Sequence, residues 1–332
     1  MRGLTMRYIS IEGNSKKFST IALGSTYFGT KIEEKTCFAL LDEFANQGGT
    51  TIDTALVYGQ EDSNSIGKSE KVIGQWLRSN NMYKEMAIIT KGCHPNIISG
   101  ESRISYENMV GDLNRSFDTL NAPTIDLWFY HRDNTDKSIH VFIDILSQIE
   151  SQFPITTFGA SNWSTHRIEE SHLYSYQNQL PVIKSSEIHY SLATTDGVKM
   201  EDESLVFMDD ESLIWYEEHQ FPVFAFSSQA KGFFSKATQM GGIDLLNNKI
   251  TSRYVSKENL ATLKKVEEMS KELGVSVTAL VIAYITSAPF PAVAIIGPSN
   301  VDQLKDSLSA SDVSLRSALR KRLKNENKGD DV

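Results

Sequence analysis

The chain has 332 residues, 40% hydrophobic and 23% charged, the balance of a folded globular protein rather than a disordered one. A formal charge of −9 argues against general affinity for nucleic-acid phosphates. The one basic cluster, RSALRKRLKNENK, reads as the solvated face of a last helix with a flexible tail at about 323–332.

The N-terminal MRGLTMRYISIEG lacks the continuous apolar core of a signal peptide. The longest apolar stretch, VTALVIAYIT (277–286), is about half the length a bilayer requires. A cytoplasmic location without membrane partners is therefore expected. Two cysteines, Cys37 and Cys93, make no disulfide framework, and Cys37 falls on the buried face of a predicted helix.

Strand-length apolar runs then alternate with helical spacing. STIALGSTYFG precedes the helical KTCFALLDEFANQG, TTIDTA precedes SEKVIGQWLRS, and MAIITKG precedes ISYENMVGDLNRSFDTL. IDLWFYHR is followed by KSIHVFIDILSQIE, ITTFGASN by STHRIEESHLYSYQ, and PVIKSSEIH by ESLIWYEEHQ. FPVFAFSS leads to KENLATLKKVEEMSKELG and SVTALVIAYITS, and PAVAIIGPS closes the series. Such alternation implies parallel strands with right-handed crossovers, and eight units predict an α/β fold of the (β/α)8 TIM-barrel class. No G-x-G-x-x-G follows any strand, which argues against a doubly wound dinucleotide domain. One domain over 1–332 is expected, with an irregular acidic loop at about 193–210 that either closes over a pocket or is solvated.

In such a barrel the C-terminal strand ends form the active face. Here the second strand ends in Asp53, the third in Lys91, the fourth in His131 and the fifth in Ser161 and Asn162. Each alone is ordinary; their coincidence on successive strands points to one site. Tyr58 follows Asp53 in TTIDTALVYG. A phenol ordinarily titrates near ~10, and a neighbouring ammonium, itself held by a carboxylate, favours the phenolate and lowers that value. The expectation is a fall of about two or three units. An imidazole completes a site that protonates a carbonyl oxygen as hydride reaches carbon. Nothing in the chain supplies hydride, so a nicotinamide is required. Ser161 and Asn162 suit its carboxamide, and Phe226 its ring.

These segments together resemble the aldo-keto reductase family over nearly the whole chain. GGTTIDTALVYG and GKSEKVIGQWL are similar to two of its signatures, IDLWFYH to its histidine strand, GASNW to its G-x-S-N strand end, and IIGPSNVDQLKDSL to its cofactor segment. The resemblance implies a tetrad of Tyr58 as proton donor with Asp53, Lys91 and His131. It also implies reduction of an aldehyde or ketone, sugar-derived ones included, by an NAD(P)H lying across the barrel mouth. For the cofactor it implies Ser161, Asn162, Ser185, Phe226, Ser227, Gly297, Ser299, Gln303 and Asp306. Departures cluster there: Ser185 stands at a usual Gln, Phe226 at a frequent Tyr, Ser299 where a basic residue often meets the 2′-phosphate, and Ser307 at a usual Asn. Serine cannot replace arginine as a phosphate ligand. Lys231 offers the charge instead, so NADP is expected, with NAD as the alternative. For the substrate pocket, Tyr27, Phe28, His94 and Trp163 are the candidates.

Three other readings arise from the same residues. Lys91 could be a Schiff-base lysine of an aldolase. The fold also serves non-enzymatic subunits that sense a cofactor. HRD at 131–133 is no kinase loop, because Ser138 stands where Asn is needed and no DFG follows. The seven histidines show no ligand spacing, and no metal site is expected.

Overall fold

The computed structural model describes residues 5–60 and 65–324. A short antiparallel hairpin, β1 (Tyr8–Ser10) and β2 (Lys17–Ser19), comes first. The eight apolar runs then form β3 (Ile21–Gly24), β4 (Thr51–Asp53), β5 (Ala87–Gly92), β6 (Ile125–Tyr130), β7 (Ile155–Ser161), β8 (Ile183–His189), β9 (Val223–Phe226) and β10 (Ala292–Ile296). All eight are parallel, and β10 pairs with β3 to close a (β/α)8 barrel. Between them lie the predicted helices, including 34–46, 68–80, 106–120, 139–150 and 165–178.

Period-two alternation sorts each strand onto two faces. The residues turned outward, among them Ile88, Trp128, Tyr130, Phe158, Ile188 and Ile296, join the layer under the helices. Those turned inward, Ala87, Ile89, Leu127, Phe129, Phe224, Val293 and Ile295, fill the barrel with a separate apolar cluster. The hairpin was not foreseen. Its Ile11 and Phe18 plug the barrel's lower end, Phe18 meeting Phe224 edge-on at 5.9 Å. No side chain at position 159 could share that interior with Phe129, since a Cβ there would lie 2.4 Å from the ring.

Helix 68–80 approaches helix 106–120 across Gly74, where a Cβ would stand 2.4 Å from the Leu120 carbonyl oxygen. Backbone cannot yield as a side chain tip can. Gly74→Ala is therefore expected to destabilise the fold by about 1–3 kcal/mol despite alanine's better helix propensity. A urea midpoint at or above that of the parent would contradict this.

The acidic loop is less irregular than its composition suggests. It contains a short helix, Gly197–Met200, and Phe207 bridges in parallel to His189. Two helices after β9, 233–240 and 248–254, were also missed. The C-terminal helix runs Ser317–Lys324 with Leu323 fully buried, so order extends into the segment expected to be a flexible tail; 325–332 lie outside the described residues. No single helix among the described residues is long and apolar enough to cross a membrane.

Candidate active site

The inward rows that build the core also build the site. On β5 the row Ala87, Ile89 continues to Lys91, and on β6 Leu127, Phe129 continues to His131. Two residues beyond the apolar layer, each row thus delivers a polar group to the same level. Asp53 ends β4 in register with Ile89, and Glu187 on β8 pairs with Ser161 on β7.

Tyr58 reaches this level from the loop after β4. That loop folds back over β5: Thr54 N donates to Ile89 O at 2.9 Å and Leu56 N to Lys91 O at 3.1 Å. The Ser-Glu pair of GKSEKVIG pins it from behind. Ser69 Oγ bonds the Ser25 hydroxyl at 2.7 Å and Thr54 Oγ1 at 3.0 Å, while buried Glu70 accepts from Thr90 at 2.6 Å and Thr119 at 2.8 Å. The signature's two polar residues thus brace the segment that carries Tyr58, Ser69 against Ser25 and Thr54 and Glu70 against Thr90 and Thr119.

Lys91 is the hub. Its Nζ, with no solvent exposure, donates to Asp53 Oδ1 at 2.6 Å, Thr54 O at 2.9 Å and Tyr58 Oη at 3.3 Å, and lies 3.3 Å from Glu187 Oε1. Burial works against the ammonium, yet Asp53, Glu187 and Tyr58 together outweigh it and hold Lys91 above its ordinary value. The phenol behaves otherwise than expected. Burial, followed by the two carboxyl groups, outweighs Lys91 and pushes Tyr58 up to about 12. Tyr58 is thus fully protonated at neutral pH, a state suited to donating. His131 is held well below the ordinary value by burial, then by Arg132, His94 and Lys91. Its neutral ring sits edge-on to Tyr58 at 5.9 Å and to His94 at 4.6 Å, and its Nδ1 is buried without a partner.

These groups open into a cavity of about 1250 Å³. Asp53, Tyr58, His131, Ser161 and Asn162 line one end, and the wall continues through Phe226 and Ser227 to Gly297, Ser299, Gln303 and Asp306. Three of the remaining candidates fall elsewhere. Ser185 is buried among Gly159 and Phe129, one inward step below Glu187, and its hydroxyl stays off the cavity. Phe28 is buried in the outer core. Trp163 is buried too, stacked on Tyr130 at 5.9 Å with the Arg167 guanidinium 5.8 Å from its ring. Tyr27 and His94 do line the cavity, joined by Arg132 and Leu205. Leu205 comes from the acidic loop, whose Val206 N donates to Asn162 Oδ1 at 3.1 Å and whose Asp202 meets Arg132 at 3.2 Å.

Glu187 was overlooked in the sequence although the signal was present. In KSSEIH, inward positions alternate as Ser185, Glu187, His189, so the strand-end level falls on the glutamate.

The far wall carries a positive cluster. Lys231, Lys236 and Lys249 line the cavity, and among the described residues none has a carboxylate within ion-pair distance. Partial removal from water, then the charges of Arg253, Lys249, Lys236 and Lys31, lower the Lys231 pKa. Ser299, by contrast, is occupied locally: its N–H and hydroxyl both donate to Gln303 Oε1, at 3.0 and 2.9 Å.

Residues 20–326 match the profile of the Aldo/keto reductase family. The chain belongs to that family. Among similar proteins is "Uncharacterized oxidoreductase YrpG" of Bacillus subtilis, 24% identical over 322 residues, 93% of this chain and 92% of that protein. "Probable voltage-gated potassium channel subunit beta" of Oryza sativa is 24% identical over 325 residues, covering 93% and 92%. "Protein tas" of Escherichia coli is 22% identical over 333 residues, covering 93% and 94%. Membership of the aldo/keto reductase family supports a general oxidoreductase role for the chain.

Proposed function

We propose that the chain reduces an aldehyde or ketone to the alcohol with a nicotinamide cofactor, Tyr58 giving the proton to the carbonyl oxygen. The observation that carries this reading is the contact of one buried ammonium with both the phenol and a carboxylate: Lys91 to Tyr58 at 3.3 Å and to Asp53 at 2.6 Å. A proton donor must be protonated, positioned and within reach of the reacting oxygen. Burial keeps the Tyr58 proton, Lys91 stabilises the oxygen as it acquires charge, and neutral His131 presents a ring nitrogen to the same space.

The donor set fits a dinucleotide. Ser161 and Asn162 provide hydroxyl and amide groups beside the tetrad, Phe226 an aromatic face beyond them, and the lysines positive charge at the far wall. When bound, the nicotinamide supplies the hydride. With Ser299 tied to Gln303, the charge for a cofactor phosphate comes from Lys231, Lys236 and Lys249, which favours NADPH. Fluorescence titration should show NADPH binding more tightly than NADH. Lys231→Ala should weaken NADPH by about 10-fold and NADH less, the scale of one charge-assisted contact. Equal affinities for the two cofactors in the parent protein would remove the preference.

An aldolase reading requires Lys91 as a free amine, and Asp53 with Glu187 hold it as an ammonium. A cofactor-sensing subunit is the second reading, favoured by likeness to the channel β-subunit relatives. NADPH consumption across a broad panel of aldehydes and ketones separates the two. Binding without turnover on any of them would support the sensor.

A further inference from the structure

The reductive reading gives one buried acid no task. Glu187 is 2% exposed and Asp53 likewise 2% exposed, and both carboxyl groups converge on a single ammonium, Asp53 Oδ1 at 2.6 Å and Glu187 Oε1 at 3.3 Å from Lys91 Nζ. The ionisable groups facing Glu187 are Asp53 at the end of β4, Tyr58 on the following loop, Lys91 on β5 and Arg132 after β6. On β9 its neighbour in register, Phe224, is apolar, and on β7 its neighbour is Ser161. Glu187 Oε2 is buried with no partner. Two carboxylates in contact away from water repel strongly, and a hydrogen bond between them exists only if one carries a proton. Arg132 offsets this only in part: of the charges around Glu187 it acts most weakly, and it is shared with Asp202 at 3.2 Å.

We propose that Asp53 and Glu187 share one proton at neutral pH, and that Glu187 is a positioning residue whose charge state sets how firmly Tyr58 keeps its phenolic proton. The proposal rests on the carbonyl-reductase reading for its consequence in turnover, but not for the shared proton itself. Burial, then the charge of Asp53, raises the Glu187 carboxyl to about 8. Below that pH, Lys91 faces one carboxylate and supports the developing phenolate. Above it, a second negative charge competes for Lys91 and opposes loss of the Tyr58 proton. Alcohol oxidation, which needs the phenolate as base, is thereby held back relative to carbonyl reduction, which needs the phenol.

Infrared spectra of the full chain with isotope-labelled glutamate test the first half without reference to activity. A labelled carbonyl band of a protonated carboxylic acid should be present at pH 7 and fade as the pH passes about 8, and this fading component should be absent from Glu187→Gln, whereas buried Glu70, also raised, contributes equally to both proteins. With aspartate labelled in a parallel sample, a wild-type protein in which neither label shows a carbonyl band that fades near pH 8 overturns the shared proton, whether or not any carbonyl is reduced. Because that measurement uses the parent chain, it stands even if the variant folds poorly. The second half is read from pH profiles in both directions with one carbonyl–alcohol pair. Glu187→Gln should move the alkaline limb of reduction, and the onset of oxidation, down by about one pH unit or more, the scale of one nearby buried charge. A merely structural glutamate would lower turnover and leave both limbs in place, and that outcome would refute the positioning role. Failure of both proteins to turn over any carbonyl would instead count against the reductase reading, with the infrared result unaffected.

Discussion

Tyr58→Phe is expected to cut carbonyl-reducing turnover by about 10²-fold or more while leaving NADPH affinity nearly unchanged. The substitution removes one oxygen and keeps the ring. The edge-on contact with His131 at 5.9 Å and the Lys91 ammonium 4.9 Å from the ring centroid should both survive, so the cavity keeps its shape. What disappears is the hydroxyl that accepts from Lys91 at 3.3 Å. An interaction made only in the transition state lowers kcat and kcat/KM together, whereas a lost binding contact raises KM alone. Turnover close to the parent's would mean that another group delivers the proton.

Lys91→Met should act on activity and stability at once. Activity falls for the reason just given from the other side: without the ammonium, nothing offsets the charge that Tyr58 acquires, and a loss of about 10²–10⁴-fold is expected. Stability falls because two buried carboxyl groups lose their counter-charge, a change that costs about 3–5 kcal/mol when a buried pair is broken. The pH dependence has a definite sign. Burial already raises both Asp53 and Glu187 in the folded chain, and removing Lys91 raises them further. A carboxyl whose folded value lies above its unfolded value of about 4 leaves the fold unpenalised at lower pH and destabilises it progressively as pH climbs toward the folded value. The deficit of Lys91→Met against the parent should thus be larger at pH 8 than at pH 5, read as urea midpoints. An equal deficit at both would show that the carboxyl groups are not the source.

Much of this architecture was legible in the chain because apolar runs and helical spacing are local signals. STIALGSTYFG to PAVAIIGPS all became barrel strands, since burial on both faces demands near-continuous apolar residues. The four polar strand ends were legible for the same reason, as interruptions of those runs. Phe28 and Trp163 misled because an aromatic near a mouth can turn either way, and packing against distant helices decides which. Ser185 misled because similarity to a family position says what usually occupies it, not how far a shorter side chain reaches. The hairpin at 8–19 escaped because three-residue strands carry too little pattern. The fall expected for the phenol was reversed chiefly by burial, with Asp53 and Glu187 adding to it, and neither the depth of a loop residue nor a neighbour on a distant strand is a local signal.

Early and late segments of the described residues meet beside the closed barrel. Thr5 N bonds Asp312 Oδ1 at 2.9 Å across 307 positions, and the Arg7 guanidinium donates to Thr286 at 2.8 Å across 279. Contacts of such separation form late in folding, after shorter-range strand pairs have nucleated. The acid–base cluster draws on β4 to β8 and can come together within those adjacent pairings. The wall of lysines, Ser299 and Gln303 follows β9 and β10 and is completed only when the last strand docks. The groups around Lys91 can therefore gather before the lysine wall and the last strand complete the other end of the cavity.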